Sequence, residues 1–279
     1  MAIELVTKYL PYVDEIFATE SKKHLLTNQD LSWTGAKTIK VYKVSTSAMN
    51  DYGRTGAKSG NWSRYGEVKD LNADAYEMTL KKDRSFTFVV DTLDEDETNG
   101  ALTGATALAR QQREVIIPEV DAYTYNVMCA GAGIKPDAVV LSAENIYEKI
   151  VEAGEALDNE EVPEDGRILL VTPAVHRMMK ESEKIVLNTA VGEDMRIRGV
   201  VANMDGAAVI KVPTSRVPEG FGFMLAHPCA TVAPSKLESY KEHKDPPGYS
   251  GTLVEGRICY DAFVLENKKN AIYYQTVTA

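Results

Sequence analysis

The chain has 279 residues, 44% of them hydrophobic and 26% charged, with a formal net charge of −10 and a pI near 5.0. That balance is ordinary for a globular protein with a large core, and it disfavours autonomous gripping of nucleic-acid phosphates. No apolar run approaches the ~20 residues of a membrane span, and Cys129, Cys229 and Cys259 are too scattered for a disulfide framework.

The N-terminal stretch lacks the basic start and cleavage site of a signal peptide. Residues 1–30 instead read as a helical arm. Val6, Tyr9, Val13, Ile16 and Phe17 recur at helical spacing, and Pro11 resets the helix start. Thr38 to Val44, TIKVYKV, reads as a β-branched strand. A second strand is expected from Tyr76 to Asp91, with Tyr76, Met78 and Leu80 alternating and then Phe86, Phe88 and Val90. Between these two lie about thirty residues rich in Gly, Ser and Asn, longer than an ordinary connection and therefore expected to have a task. Together they predict a hairpin with a long polar tip.

The next stretch, Asp91 to Gly133, predicts one long helix, from about Asn99 to Ala130. At ~1.5 Å per residue it would run roughly 45–50 Å. The acidic cluster Asp94–Glu97 leads in, where the helix dipole favours negative charge, and Thr98 or Asn99 is the expected N-cap. Ile116, Val120, Tyr123 and Val127 form the expected buried stripe, extended by Leu108 and Val115. Pro118 predicts a bend or break. Gly131 and Gly133 end the helix, and Pro136 prevents its return.

Ala138 to Ser142 reads as a buried strand, followed by a helix capped by Ser142 and burying Ile146, Ile150, Ala153 and Leu157. RILLV is another buried strand. Thr172 caps the following helix with Pro173 at its first position. Asp205-Gly206 signals a hairpin. ATVAP, GTLVEGRICYDAFVL and AIYYQTV are expected strands, with KEHKDPPGYSG a polar loop.

GRTGAKSG lacks the glycine spacing of a phosphate loop: Ala57 precedes Lys58, and Tyr52 occupies the earlier position. DTLDEDET lacks calcium-loop spacing. His227-Pro228-Cys229 has no further metal ligand nearby in sequence. No nucleophile elbow or dinucleotide turn is present. No catalytic residue, cofactor site or metal site is assigned, and the chain is not expected to be an enzyme.

Several blocks in order resemble the major capsid protein of tailed bacteriophages, with the Hong Kong 97-type fold. DYGRTGAKSG followed by YEMTLKKDRSFTFVVDTLDEDET is similar to that family's extended loop and its return strand. ARQQREVIIPEVDAY is similar to the spine helix. RILLVTPAVHRMMKES, DGAAVIKVPTSRVP and GRICYDAFVLENKKNAIYYQ resemble the later body. The resemblance implies an α+β fold in five parts. Residues 1–37 would be an N-terminal arm, 38–92 an extended β-hairpin loop, and 93–136 the spine helix of a peripheral domain. Residues 137–225 would be an α/β axial domain, and 226–279 a strand-rich return. It implies hexamers and pentamers that close an icosahedral head around double-stranded DNA, hence a virion protein assembled in the host cytoplasm. Portal and head-completion proteins would be partners. The scaffold would be a separate protein, since the chain starts directly at the arm. The lysine–asparagine crosslink of some relatives is not carried over to Lys58.

The subunit-contact residues expected in the loop are Tyr52, Arg54, Lys58, Trp62, Arg64 and Tyr65. Two alternatives stand beside this reading: an encapsulin-like compartment shell that packages protein cargo, and an α/β enzyme whose site leaves no motif.

Overall fold

A computed structural model describes residues 21–28, 38–44, 46–56, 63–67, 70, 73–98, 103–182 and 202–278. The apolar positions of the predicted N-terminal arm lie outside the described residues. Its last part contains α1 (Lys23–Leu26), a single turn. The chain divides into two compact units: Gly35–Leu80, and Met1–Thr34 with Lys81–Ala279.

The smaller unit is the predicted hairpin. β1 (Thr38–Val44) pairs antiparallel with β2 (Ala73–Thr79), in register from Thr38 opposite Thr79 to Val44 opposite Ala73. The single strand expected from Tyr76 to Asp91 is in fact two. β2 stops at Thr79, and β3 (Lys82–Asp91) begins a different sheet. The Lys81 N–H between them is taken by the Asp261 carboxylate at 2.9 Å, which withdraws a ladder donor at the break.

In the larger unit β3 leads into α2 (Thr92–Glu97), a short helix capped by the Asp91 carboxylate, which accepts from Leu93 N–H at 2.8 Å. The acidic cluster therefore belongs to its own helix, and Thr98 closes that helix instead of opening the next. The spine helix starts with α3 (Gly104–Gln111). Its N-cap is Thr103, in a reciprocal box with Thr106, and not Thr98 or Asn99. It continues through a π turn, Gln112–Ile116, into α4 (Ile117–Gly131). The predicted irregularity thus falls just before Pro118. That proline has no N–H to give Glu114, and Ile117 N–H reaches back five residues to the Gln112 carbonyl.

The expected stripe on this helix is only partly right. Val120 is buried, while Ile116, Tyr123 and Val127 are half-buried and Val115 is exposed. The helix packs on two bodies at once, so its buried surface is split. Ile116, Val120 and Tyr123 pack against Ile258 and Tyr260. Tyr125, Met128, Cys129 and Ala132 enter a separate core.

Ala138–Ser142 is not a strand. It makes a single bridge, Val139 with Val277, and Val140 is exposed. Nor does Ser142 cap directly. Asn145 is the residue before α5 (Ile146–Asn159), and its Oδ1 accepts the Ser142 N–H at 2.8 Å. The predicted buried positions of α5 are buried. β4 (Ile168–Val171) is buried throughout. The Thr172 hydroxyl accepts from Val175 N–H to start α6 (Pro173–Glu181), as its sequence signals require. β5 (Ala202–Met204) and β6 (Ala207–Lys211) flank Asp205 and Gly206, with φ of 48° and 76°, the left-handed pair of a tight hairpin turn.

A 3-10 turn at Thr214–Arg216 precedes β7 (Phe221–Ala226). Then come β8 (Thr231–Val232), β9 (Ser235–Lys244), β10 (Gly251–Tyr260), β11 (Phe263–Val264) and β12 (Ile272–Thr276). KEHK is therefore strand and not loop. β9 is an edge of the antiparallel sheet β3-β10-β9, and Lys241 to Lys244 are all exposed, so it shows no apolar period.

The other main sheet has the order β12-β7-β4-β6-β5, with only β4 and β6 parallel. Both of its faces are covered. Ile168, Leu170, Met224, Ala226, Ile272 and Tyr274 join the core that holds the end of α4. Leu169, Val171, Phe223, Leu225 and Tyr273 join the core that holds α5 and α6. This double burial explains why ILLV and FGFMLA are unbroken apolar runs.

Candidate assembly interface

The tip of the hairpin unit turns on a short internal lattice. Gly53 N–H donates to the Arg64 carbonyl at 2.9 Å, bringing together two chain segments eleven residues apart. The rings of Tyr52 and Tyr65 meet edge to face, 5.0 Å between centroids, yet they remain 51% and 77% exposed. Met49 is 99% exposed. Gly66 has a φ of 97°, and a Cβ there would meet the Asn50 side chain at 2.7 Å. Arg54 and Arg64 are exposed. Four of the six predicted contact residues are thus solvent-facing on one small structure. Lys58 and Trp62 lie outside the described residues. Exposed aromatic and cationic side chains of this kind are typical anchors of protein–protein contacts.

Within the larger unit, two polar clusters hold the spine helix. The first is around Asp261, which is 3% exposed. Its Oδ1 accepts from the Tyr123 hydroxyl at 2.7 Å and from Ala262 N–H at 2.8 Å, and its Oδ2 accepts from Lys81 N–H. Beside it, the Tyr260 hydroxyl donates to Glu119 at 3.2 Å, and Glu119 also meets Arg84 at 2.8 Å. Burial, with Glu119 adding negative charge, pushes the Tyr260 hydroxyl up to about 12. Burial and Asp261 likewise raise Tyr123. Both hydroxyls therefore stay protonated and donate.

The second cluster is a buried ion pair. Arg216 Nη1 lies 2.9 Å from Asp121 Oδ2, and Ser21 Oγ donates to Asp121 Oδ1 at 2.6 Å. It joins the N-terminal segment, the spine helix and the Thr214–Arg216 turn. Burial raises the Asp121 carboxyl above its ordinary range, outweighing the opposing pull of Ser21 and Arg216. Sequence reasoning missed these groups. Asp121 and Arg216 are 95 residues apart, and the one available signal was a carboxylate inside an apolar helical stretch.

No set of three or more His, Cys, Asp or Glu among the described residues is arranged to hold a metal. His227 Nδ1 accepts from Cys229 N–H at 3.2 Å, which leaves Nε2 to donate to the Asp165 carbonyl at 3.0 Å, so both ring nitrogens serve the backbone. Among the described residues no helix is long and apolar enough to cross a membrane.

No protein-family model matches the chain, and no curated protein does. Solved structures do. The capsid of the cyanophage P-SCSP1u aligns at a TM-score of 0.75 and 11% identity, over 99% of this chain and 93% of that one. The mature capsid of bacteriophage PhiM1 aligns at 0.70 and 13%, over 100% and 92%. The capsid of Myoviridae phage XM1 aligns at 0.62 and 11%, over 100% and 99%. The chain therefore has the fold of bacteriophage capsid proteins, a mixed helix-and-sheet architecture, as the ordered blocks of its sequence implied.

Proposed function

We propose that this chain is the major capsid protein of a tailed phage. It assembles into hexamers and pentamers that close an icosahedral shell around double-stranded DNA, and it resides in the virion after assembly in the host cytoplasm. The observation that carries this reading is an alignment spanning at least 92% of each of three capsid chains, with no large part of the fold left over for another task. Residues 1–37 act as the arm, 38–92 as the extended loop, 93–136 as the spine, 137–225 as the axial domain and 226–279 as the return. The compact unit Gly35–Leu80 supports the loop assignment. Tyr52, Arg54, Lys58, Trp62, Arg64 and Tyr65 contact a neighbouring subunit. A net charge of −10 suits a wall that encloses DNA without adhering to it. A separate scaffold, a portal and head-completion proteins are its other partners.

The test is electron microscopy of the chain expressed with its genomic neighbours, together with nuclease protection of particle contents. Closed icosahedral particles holding nuclease-resistant DNA are expected. Particles filled with an enzyme would replace this reading with a cargo compartment. A chain that never forms particles would overturn both.

A further inference from the structure

α5 leaves one flank uncovered by the other described residues. Its inner side, Ile146, Ile150, Ala153 and Leu157, is buried on the sheet. Its outer flank presents Tyr147 and Val151, one turn apart and each 37% exposed. Val140 is 64% exposed beside the first turn, where Asn145 Nδ2 donates to its carbonyl at 2.8 Å. Glu144, Glu148 and Glu155 are exposed around these apolar groups, and their carboxylates form no ion pair among the described residues.

α6 packs in the same core and shows the opposite chemistry. Val175, His176 and Met179 point inward, leaving Pro173, Ala174, Arg177 and Lys180 exposed. Arg177 meets Glu181 at 3.5 Å, with both side chains more than half exposed, an arrangement that costs little to exchange. Lys180 forms no ion pair among the described residues.

We infer that the α5 flank of one subunit docks against the α6 flank of the next copy of this chain. The inference rests on the shell reading above and names the contact within it. Charge complementarity selects the occupant. An α5-to-α5 contact would bring Glu148 and Glu155 against identical charges, and like-charge juxtaposition is strongly disfavoured at an interface. A contact between two different patches is head-to-tail, the type that builds a ring when its rotation closes. Val140, Tyr147 and Val151 supply the apolar centre, and the glutamates and α6 cations supply a rim that sets orientation.

A charge-swap series tests this, with particle yield read by sedimentation and folding by thermal melting. Glu148→Lys with Glu155→Lys should melt like the wild type but lower particle yield by about tenfold or more. Arg177→Glu with Lys180→Glu should do the same. The chain carrying all four changes should recover particles. Tyr147→Ser with Val151→Ser, which alters no charge, should also lower the yield. Full yield from either charge pair alone, or a folded four-fold variant that fails to recover, would overturn the contact while leaving the shell reading intact. A wild-type chain that forms no particles when expressed with its genomic neighbours would overturn the shell reading itself, and this contact with it.

Discussion

Arg216 and Asp121, 95 residues apart in sequence, form a 2.9 Å ion pair in which the Arg216 side chain is 6% exposed and that of Asp121 is 1% exposed. Such a pair is an indifferent source of stability when whole and a costly one when halved, because the survivor keeps its desolvation penalty. Arg216→Ala should therefore destabilise the subunit by about 3–5 kcal/mol. The double change Arg216→Met with Asp121→Leu should recover most of that loss. Urea unfolding of the unassembled chain measures both. A single-variant loss below about 1 kcal/mol would place the charge in a wetter site than its burial indicates.

Asp261 makes a finer prediction. In Asp261→Asn one oxygen can still accept from Tyr123 and Ala262, but the new NH2 faces the Lys81 N–H, donor against donor. The expected cost is about 1–3 kcal/mol, the penalty of one unsatisfied buried group. Faster amide exchange should be confined to the residues around Lys81. Unchanged exchange at Lys81 would show that the carboxylate does not hold this junction.

The parts of the fold that the sequence disclosed are those whose causes are local. Thr172-Pro173, Asp205-Gly206 and the ILLV run each carry their reason within a few residues. Thr98 was a plausible N-cap by type, but it closes the short helix begun at Asp91, and Thr103 opens the spine. The spine's buried surface was misjudged because two separate bodies share the helix, so its burial follows no single stripe. The strand character of Lys241 to Lys244 was hidden because an edge strand facing solvent needs no apolar alternation. The exposed positions Tyr52, Arg54, Arg64 and Tyr65 were legible from the polar composition around them. Asp121, Arg216 and Asp261 were not, since their partners come from distant segments.

His176 gives the pH response a definite sign. Burial lowers its imidazole pKa below the ordinary 6.5, helped by Lys180 and Lys211. Between the folded and unfolded pKa values the unfolded chain binds more protons, so stability rises with pH across that window. Its contribution is complete above the unfolded value and is lost as pH falls toward the folded one. His176→Gln should flatten the fall in urea midpoint between about pH 7 and pH 5. An equally steep fall in the variant would assign the acid sensitivity to other groups.

Paired sedimentation is the sharpest test of a shell subunit whose hairpin tip serves its neighbours. Expressed with its genomic neighbours, the wild-type chain is compared with one in which a short Gly-Ser turn replaces residues 45–72, and the melting transition of each unassembled chain is recorded. Shortening the loop changes closure entropy only modestly, by about 0.6 kcal/mol per halving of length. The exposed rings of Tyr52 and Tyr65 bury little within the hairpin. Fast-sedimenting shells are expected from the wild type, and from the shortened chain a slow species with an unchanged melt. Shells from the shortened chain, or a collapsed melting transition, would show that the hairpin tip is not an assembly element.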